Sequence, residues 1–223
     1  MSSIIDPIEM PAFSGDGLEI VGTDGFNALR GTEKGDFIDA KGAGDLIDAG
    51  EGDDLIDAGL GGDFIQGGEG NDTIFGKGGK DIIFAGTGSD VISSGEGNDV
   101  VFGNSGGDLI QSGDGDDTIF GGAGDDTING GVGNNVLFGD SGKDVFEFAA
   151  EDISSSFISR VGDFEPGEDN LIIKGLGSED KVSFNPDTGY ISVNGENVIG
   201  LEDLGNSADI NMDINESGNF EIM

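Results

Sequence analysis

Gly67-Gly68-Glu69-Gly70-Asn71-Asp72-Thr73-Ile74-Phe75 is one copy of a nine-residue unit, and its reading decides the fold. The first six residues suit neither helix nor strand: glycine at the first, second and fourth places favours tight backbone approach and positive φ. The last three alternate outward, inward and outward, as a short strand does. Working outward, Asp72 belongs to a series that steps by nine through Asp36, Asp45, Asp54, Asp63, Asp72, Asp81, Asp90, Asp99, Asp108, Asp117, Asp126, Asn135 and Asp144, with Asn27 one step before. Two residues after each member sits Ile, Leu, Val or Phe. Two before it sits glycine, except at Lys34 and Ala43. A strict short period means one small unit stacked many times.

A six-residue turn and a three-residue strand reverse the chain once per copy, so two copies complete an 18-residue coil. Successive coils predict two parallel sheets with the Ile column packed between them. At about 4.8 Å per coil, seven coils give an array roughly 34 Å long. The sequence divides into a leader at 1–21, where Pro7 and Pro11 oppose regular structure, the array at 22–148, and a tail at 149–223. In the tail glycine thins out, and strand-like runs occur at 158–164, 171–173, 182–184 and 190–193. Asn185-Pro186-Asp187-Thr188-Gly189 and Asn194-Gly195 are turn signals between them, the second typical of a tight hairpin. The expected class is all-β: a parallel β-roll closed by a C-terminal β-rich cap, since the end unit of a stack needs a different outer surface.

The chain has 223 residues and a net charge of −37, with only nine Lys and Arg. Its hydrophobic fraction, 35%, and its charge would by themselves predict disorder. The periodicity argues for a folded state that needs a neutraliser, because so many carboxylates repel one another in a compact chain. Multivalent cations are the expected partner; nucleic acid and anionic membranes are not, given so few basic residues. With no Cys and no His, zinc, haem and iron–sulfur sites built on those ligands are excluded. No apolar run approaches a membrane span, and residues 1–15 lack the basic start and apolar stretch of a cleavable signal peptide. Aspartate is a good turn former, but turn chemistry alone would let Asn, Ser and Gly take its place freely. The sixth position is Asp in 12 of 14 copies and Asn in the other two, always an oxygen donor.

The pattern Gly-Gly-x-Gly-x-Asp-x-(Ile/Leu)-x resembles the calcium-binding nonapeptide of RTX proteins over residues 22–148. That resemblance implies a β-roll with calcium held between turns of adjacent coils. The carboxylates would be those of Asp36, Asp45, Asp54, Asp63, Asp72, Asp81, Asp90, Asp99, Asp108, Asp117, Asp126 and Asp144. The remaining oxygens would come from the turns: Gly50 and Gly52, Gly59 and Gly61, Gly67 to Gly70, Gly86 and Gly88, Gly95 and Gly97, Gly103 and Ser105, Gly113 and Gly115, Gly121 to Gly124 (with Gly122 and Ala123), and Gly131 and Gly133. Between turns 67–72 and 85–90, for example, carbonyls of Gly67 and Glu69 would join those of Gly86 and Gly88, completed by Asp72 and Asp90. Six oxygens suit Ca²⁺, whose coordination is flexible, better than Mg²⁺. Fourteen turns on two edges leave at most about twelve gaps, so about ten to twelve ions are expected. Twelve would lower the charge to about −13. Sites near Asn27, Lys34, Ala43 and Asn135 are expected to be weaker or empty.

A second resemblance covers the junction. Asp144-Val145-Phe146-Glu147-Phe148 and the run from Ile158 to Ile172, with Gly162-Asp163-Phe164-Glu165-Pro166-Gly167-Glu168-Asp169, are similar to the segment after the roll in serralysin-type proteases and alginate epimerase modules. Asn219-Phe220-Glu221-Ile222-Met223 resembles the uncleaved C-terminal signals of type I secretion. These resemblances imply an extracellular or cell-surface protein that folds on meeting calcium, with a structural or matrix role. The alternative is a polysaccharide-binding or accessory module of a secreted enzyme system. No catalytic role is expected. Gly103-Asn104-Ser105-Gly106-Gly107 and Gly139-Asp140-Ser141-Gly142 mimic hydrolase motifs, but both lie in the repeat register and no His exists to act as base. Asp213 to Phe220 mimics the start of an EF-hand loop without its final acid. Finally, Phe84, Phe102, Phe120 and Phe138 recur every 18 residues and should stack on one outer face. Large apolar patches usually mark contacts, so this face is expected to be covered by the chain's own ends or by a partner, such as a second copy.

Overall fold

In a computed structural model the chain winds into a two-sheet solenoid; residues 13, 15–154, 156–202, 212–214 and 220–222 are described. Among them there is no helix, and so none long and apolar enough to cross a membrane. Alternate strands go to alternate sheets. One sheet stacks Glu19–Val21, Phe37–Asp39, Leu55–Asp57, Thr73–Gly78, Val91–Glu96, Leu109–Asp114, Thr127–Asn129, Val145–Ala149 and Asn170–Lys174, all parallel. The other stacks Ala28–Arg30, Leu46–Glu51, Phe64–Glu69, Ile82–Thr87, Val100–Ser105, Thr118–Ala123, Val136–Ser141, Ser159–Val161 and Glu196–Leu201, again parallel. Within the array each residue pairs with the one 18 positions on, such as Ile74 with Ile92.

The inward residue of every strand makes the core. Ile38, Ile47, Ile56, Ile65, Ile74, Ile83, Ile92, Val101, Ile110, Ile119, Ile128, Leu137 and Phe146 have no exposed surface. Each such side chain contributes about 1.5–3 kcal/mol of burial. A slip by one residue would turn the whole column outward, so the register is strongly specified. The first turn position lies at the edge of this core, where Ala40, Ala49, Ala58, Ala85, Ser94 and Ser112 are fully buried; small residues are what fit there.

Several points differ from the sequence reading. Most strands of the repeat array run six residues rather than three, because the first turn residues keep hydrogen bonding to the neighbouring coil, as Glu51 N does to Thr32 O at 2.9 Å. The roll begins before residue 22, with Glu19–Val21 already paired to Phe37–Asp39. Past residue 149 both sheets continue without a break. They then close with antiparallel strands: Val182–Asn185 and Tyr190–Val193 beside Glu196–Leu201 on one, Met212–Ile214 and Phe220–Ile222 on the other. Asn194 and Gly195 have φ of 55° and 87°, as a two-residue hairpin turn with positive φ at both places requires. Strand Glu196–Leu201 was not anticipated, its polar start hiding the buried Val198 and Ile199.

Lastly, the Phe ladder is half-buried, and its described ring contacts are with one another and with Phe64. The described part of the leader goes elsewhere: Phe13 stacks on Phe37 of the opposite sheet, 5.9 Å between centroids. Phe75, on that opposite sheet, is 3% exposed rather than outward in water. Most of the leader, and Asn219 and Met223 of the tail, lie outside the described residues, as does most of the EF-hand mimic.

Candidate metal centre

In turn 67–72 the peptide groups alternate in direction along the stack. Gly68 and Gly70 have φ of 126° and 130°, which flips the plane at every second residue. Side chains could not follow. A Cβ on Gly86 would strike Gly68 O, and one on Gly88 would strike Gly70 O. Gly67 does not need positive φ; it is glycine because a Cβ there would sit 2.5 Å from Asp72 Oδ2 and against Ala85 O. The missing methyl leaves a small space framed by oxygens of two coils.

The aspartates form two continuous columns. On one edge the main-chain N–H of Asp36 donates to Asp54 Oδ1 (2.6 Å), Asp54 to Asp72 (2.9 Å), Asp72 to Asp90 (2.7 Å), Asp90 to Asp108 (2.8 Å), Asp108 to Asp126 (2.8 Å) and Asp126 to Asp144 (2.9 Å). On the other, Asn27 donates to Asp45 (2.6 Å), Asp45 to Asp63 (2.6 Å), Asp63 to Asp81 (2.8 Å), Asp81 to Asp99 (2.9 Å), Asp99 to Asp117 (2.8 Å) and Asp117 to Asn135 Oδ1 (2.9 Å). One oxygen of each carboxylate thus fixes its rotamer. The other is left over. Oδ2 of Asp45, Asp54, Asp63, Asp72, Asp81, Asp90, Asp99, Asp108, Asp117 and Asp126 is buried and has no hydrogen-bond donor. A buried charge without a partner is costly, and its proton affinity rises. Burial, the largest cause, pushes Asp72 up to about 8, Asp54, Asp81, Asp117 and Asp126 to about 7, and Asp63, Asp90 and Asp144 to about 6. Neighbouring carboxylates add to the rise, while the main-chain N–H on Oδ1 opposes it. Asp108 shifts the same way.

Such a column of unpartnered oxygens fits a hard cation. Among the described residues no three acidic side chains converge on one point. Each gap offers two carboxylates, and a cation there would take its other ligands from main-chain carbonyls, a donor set suited to calcium. The carbonyls that face a gap are not all those named from the sequence. Across the gap between turns 67–72 and 85–90 the facing ones are Gly68, Gly70 and Ala85, with Thr87 O accepting from Gly70 N at 2.8 Å. Glu69 O faces the preceding coil, accepting from Gly52 N at 2.6 Å, and Gly88 O faces the following one. Gly86 O also faces forward, taking the Ser105 hydroxyl at 3.5 Å. Alternation along the turn was legible; its sense was not, because it depends on which peptides flip.

The same alternation recurs elsewhere. Second and fourth positions carry positive φ at Gly50 and Gly52, Gly59 and Gly61, Gly95 and Gly97, Gly113 and Gly115, Gly122 and Gly124, and Gly131 and Gly133. Gly103 and Gly121 stand where Gly67 does, each leaving room beside the Oδ2 of Asp108 or Asp126. Ser105 and Ala123 are third positions, whose carbonyls accept from Gly88 N (2.9 Å) and Gly106 N (2.8 Å) one coil earlier.

The ends are built otherwise. Asp36 Oδ2 is taken by Thr32, through its N–H at 2.6 Å and hydroxyl at 3.0 Å. Asn135 donates its amide to the carbonyls of Gly130 (2.9 Å) and Gly131 (3.2 Å), and Asn27 donates its own to Thr23 and Gly25. The column also continues past its expected end. Asp144 N donates to Asp169 Oδ1 at 3.0 Å, and Asp169 Oδ2 accepts from Glu165 N at 2.8 Å. Asp163 accepts from Gly139 N (3.0 Å) and Asp140 N (2.7 Å). The step to Asp169 is 25 residues, so a search by nines passes over it. Ser105 and Ser141 of the hydrolase-like motifs donate to Gly86 O (3.5 Å) and Gly122 O (3.4 Å), as turn residues do.

Set against known families, the chain matches the RTX calcium-binding nonapeptide repeat (4 copies) at residues 21–56, 30–65, 48–83, 57–92, 75–110 and 111–146, together more than half its length. No curated protein matches it. Repeats of this kind bind calcium and are structural units rather than catalytic ones. The chain is a calcium-binding β-roll protein and belongs to the RTX nonapeptide-repeat family.

Proposed function

We propose that this is an exported protein whose roll forms only when calcium binds, serving a structural or surface role rather than catalysis. The observation that carries the reading is the set of ten buried carboxylate oxygens without donors, five on each edge. Every coil that folds without cations adds two more such oxygens. A bound calcium would supply the positive charge; the chain's own groups do the rest. Main-chain N–H groups hold each Oδ1, glycines leave the space, and the alternating peptides aim carbonyls from both sides. Ten ions, one for each such oxygen, would lower −37 to about −17.

Binding energy then becomes folding energy, as in other metal-dependent folds. Where calcium is scarce the acidic turns repel and the chain stays unfolded. Outside a cell, millimolar calcium meets or exceeds the roughly 10⁻⁴–10⁻³ M dissociation constants of extracellular modules. Export of the chain before it meets calcium would fit this order of events. Circular dichroism of the whole chain is expected to show β-structure on adding calcium and its loss with EGTA. An unchanged spectrum rejects the mechanism.

A further inference from the structure

We propose that the outer face of the sheet carrying the Phe ladder is a dimer interface, on which a second copy packs antiparallel, ladder upon ladder. The proposal needs a folded roll and is independent of export. Phe84, Phe102, Phe120 and Phe138 stack with centroids 4.7, 4.9 and 5.0 Å apart and planes within 5° of parallel. Adjacent strands usually rotate by about 20–25°, and rings this nearly parallel make a regular ladder on which a second ladder can lie. Beside the ladder runs a second outward column in which Phe64 and Ile82 are 40% and 39% exposed. Over five coils, from Phe64 to Phe138, neither column carries a charge, in a chain of net charge −37.

The charges that flank this strip select the occupant. Following the register from Phe102, Asp48 lies three coils away in one direction and Arg30 four. In the other direction Arg160 lies three coils away and Glu202 four, its N–H bonded to Val161 O. At equal distances from the centre the signs are opposite. A two-fold axis through the Phe102 coil therefore sets Arg30 of one copy against Glu202 of the other and Asp48 beside Arg160, each twice. That is the self-complementarity an isologous contact requires. Both local pairs, Arg30–Asp48 at 3.4 Å and Arg160–Glu202 at 3.7 Å, are exposed and free to share a partner. Six-residue strands about 20 Å wide over about 30 Å of stack give ~600 Å² per copy, ~1,200 Å² in all, the lower end of stable interfaces.

The chain has no cysteine, so cross-linking reads the register directly. In millimolar calcium, with circular dichroism confirming the fold, sedimentation is expected to give a dimer. Phe102→Cys should then oxidise to a covalent dimer. Phe64→Cys should not do so alone, but should cross-link when mixed with Val136→Cys, which the axis places opposite. Phe102→Glu should give a folded monomer. The proposal is overturned by a folded wild-type monomer at tens of micromolar, or by a folded Phe102→Cys monomer whose thiol resists labelling, which would mean the chain's own ends cover the face. Self-cross-linking of Phe64→Cys as fast as that of Phe102→Cys would overturn it as well.

Discussion

Turns 67–72 and 130–135 share a backbone yet are satisfied by opposite means. At Asp72 one carboxylate oxygen holds the coil before it, while the other faces carbonyls with no donor. At Asn135 the same first oxygen holds the coil before, but the second group is an amide that donates to the carbonyls of Gly130 and Gly131. One turn leaves a buried oxygen open to a cation; the other carries its donor within the chain. The difference teaches that one backbone can be completed in two ways, and that the sixth residue of the turn chooses between them.

The strongest way to break the comparison is Asp90→Ala. It removes the acceptor of Asp72 N–H, which costs about 1–3 kcal/mol when a buried donor is left unpaired, and it removes a proposed calcium ligand as well. Thermal unfolding in calcium should shift down by several degrees. Asp90→Asn, which keeps the acceptor and brings an amide, should recover much of that loss. Equal damage from both would mean that the column of Oδ1 bonds contributes little.

A smaller effect concerns pH. Asp54, Asp63, Asp72, Asp81, Asp90, Asp117, Asp126 and Asp144 have folded-state affinities for protons raised from 3.8 to about 6–8. A group raised in this way stabilises the metal-free roll fully below its unfolded value, and the contribution is lost as pH rises through 6 to 8. In EGTA, β-structure should therefore be greatest at about pH 4 or below, fall as pH rises, and be least at pH 8. In calcium the order reverses, since protons compete for the same oxygens, and titration should show affinity falling as pH drops from 8 to 5. Affinity that stays flat over that range would contradict the burial of these oxygens.

The smallest effect is expected from Asn135→Asp. It converts a self-satisfied turn into one resembling its neighbours, so calorimetry should count one more calcium per chain, with slightly less structure in EGTA. No gain in stoichiometry would show that the surrounding carbonyls, and not the sixth residue, decide occupancy.

Much of this was legible in the sequence because a nine-residue period leaves little freedom. Once Ile74 points inward and 18 residues close a coil, the two sheets, the two acidic edges and the stacked Phe residues follow from geometry. What escaped the reading was whatever departs from the period or depends on peptide orientation. Asp169 joins the column 25 residues after Asp144 instead of 18, and no fixed step reaches it. Phe75 is as periodic as any outward residue, yet it is buried, with Lys77 Nζ 5.0 Å from its ring centroid. That burial depends on local neighbours, not on register. The forward and backward sense of the turn carbonyls was equally out of reach, because glycine permits either flip.

Parallel stacking with an 18-residue repeat has a mechanical side. Each coil holds about 60 Å of contour length, at roughly 3.4 Å per extended residue, within about 4.8 Å along the axis. Coils touch only their neighbours, so tension applied at the two ends of the chain would release them one after another, each lengthening the molecule more than tenfold over the space it occupied. Under the proposed calcium-driven folding, the roll is a reservoir of tether, reeled in by a dissolved ion.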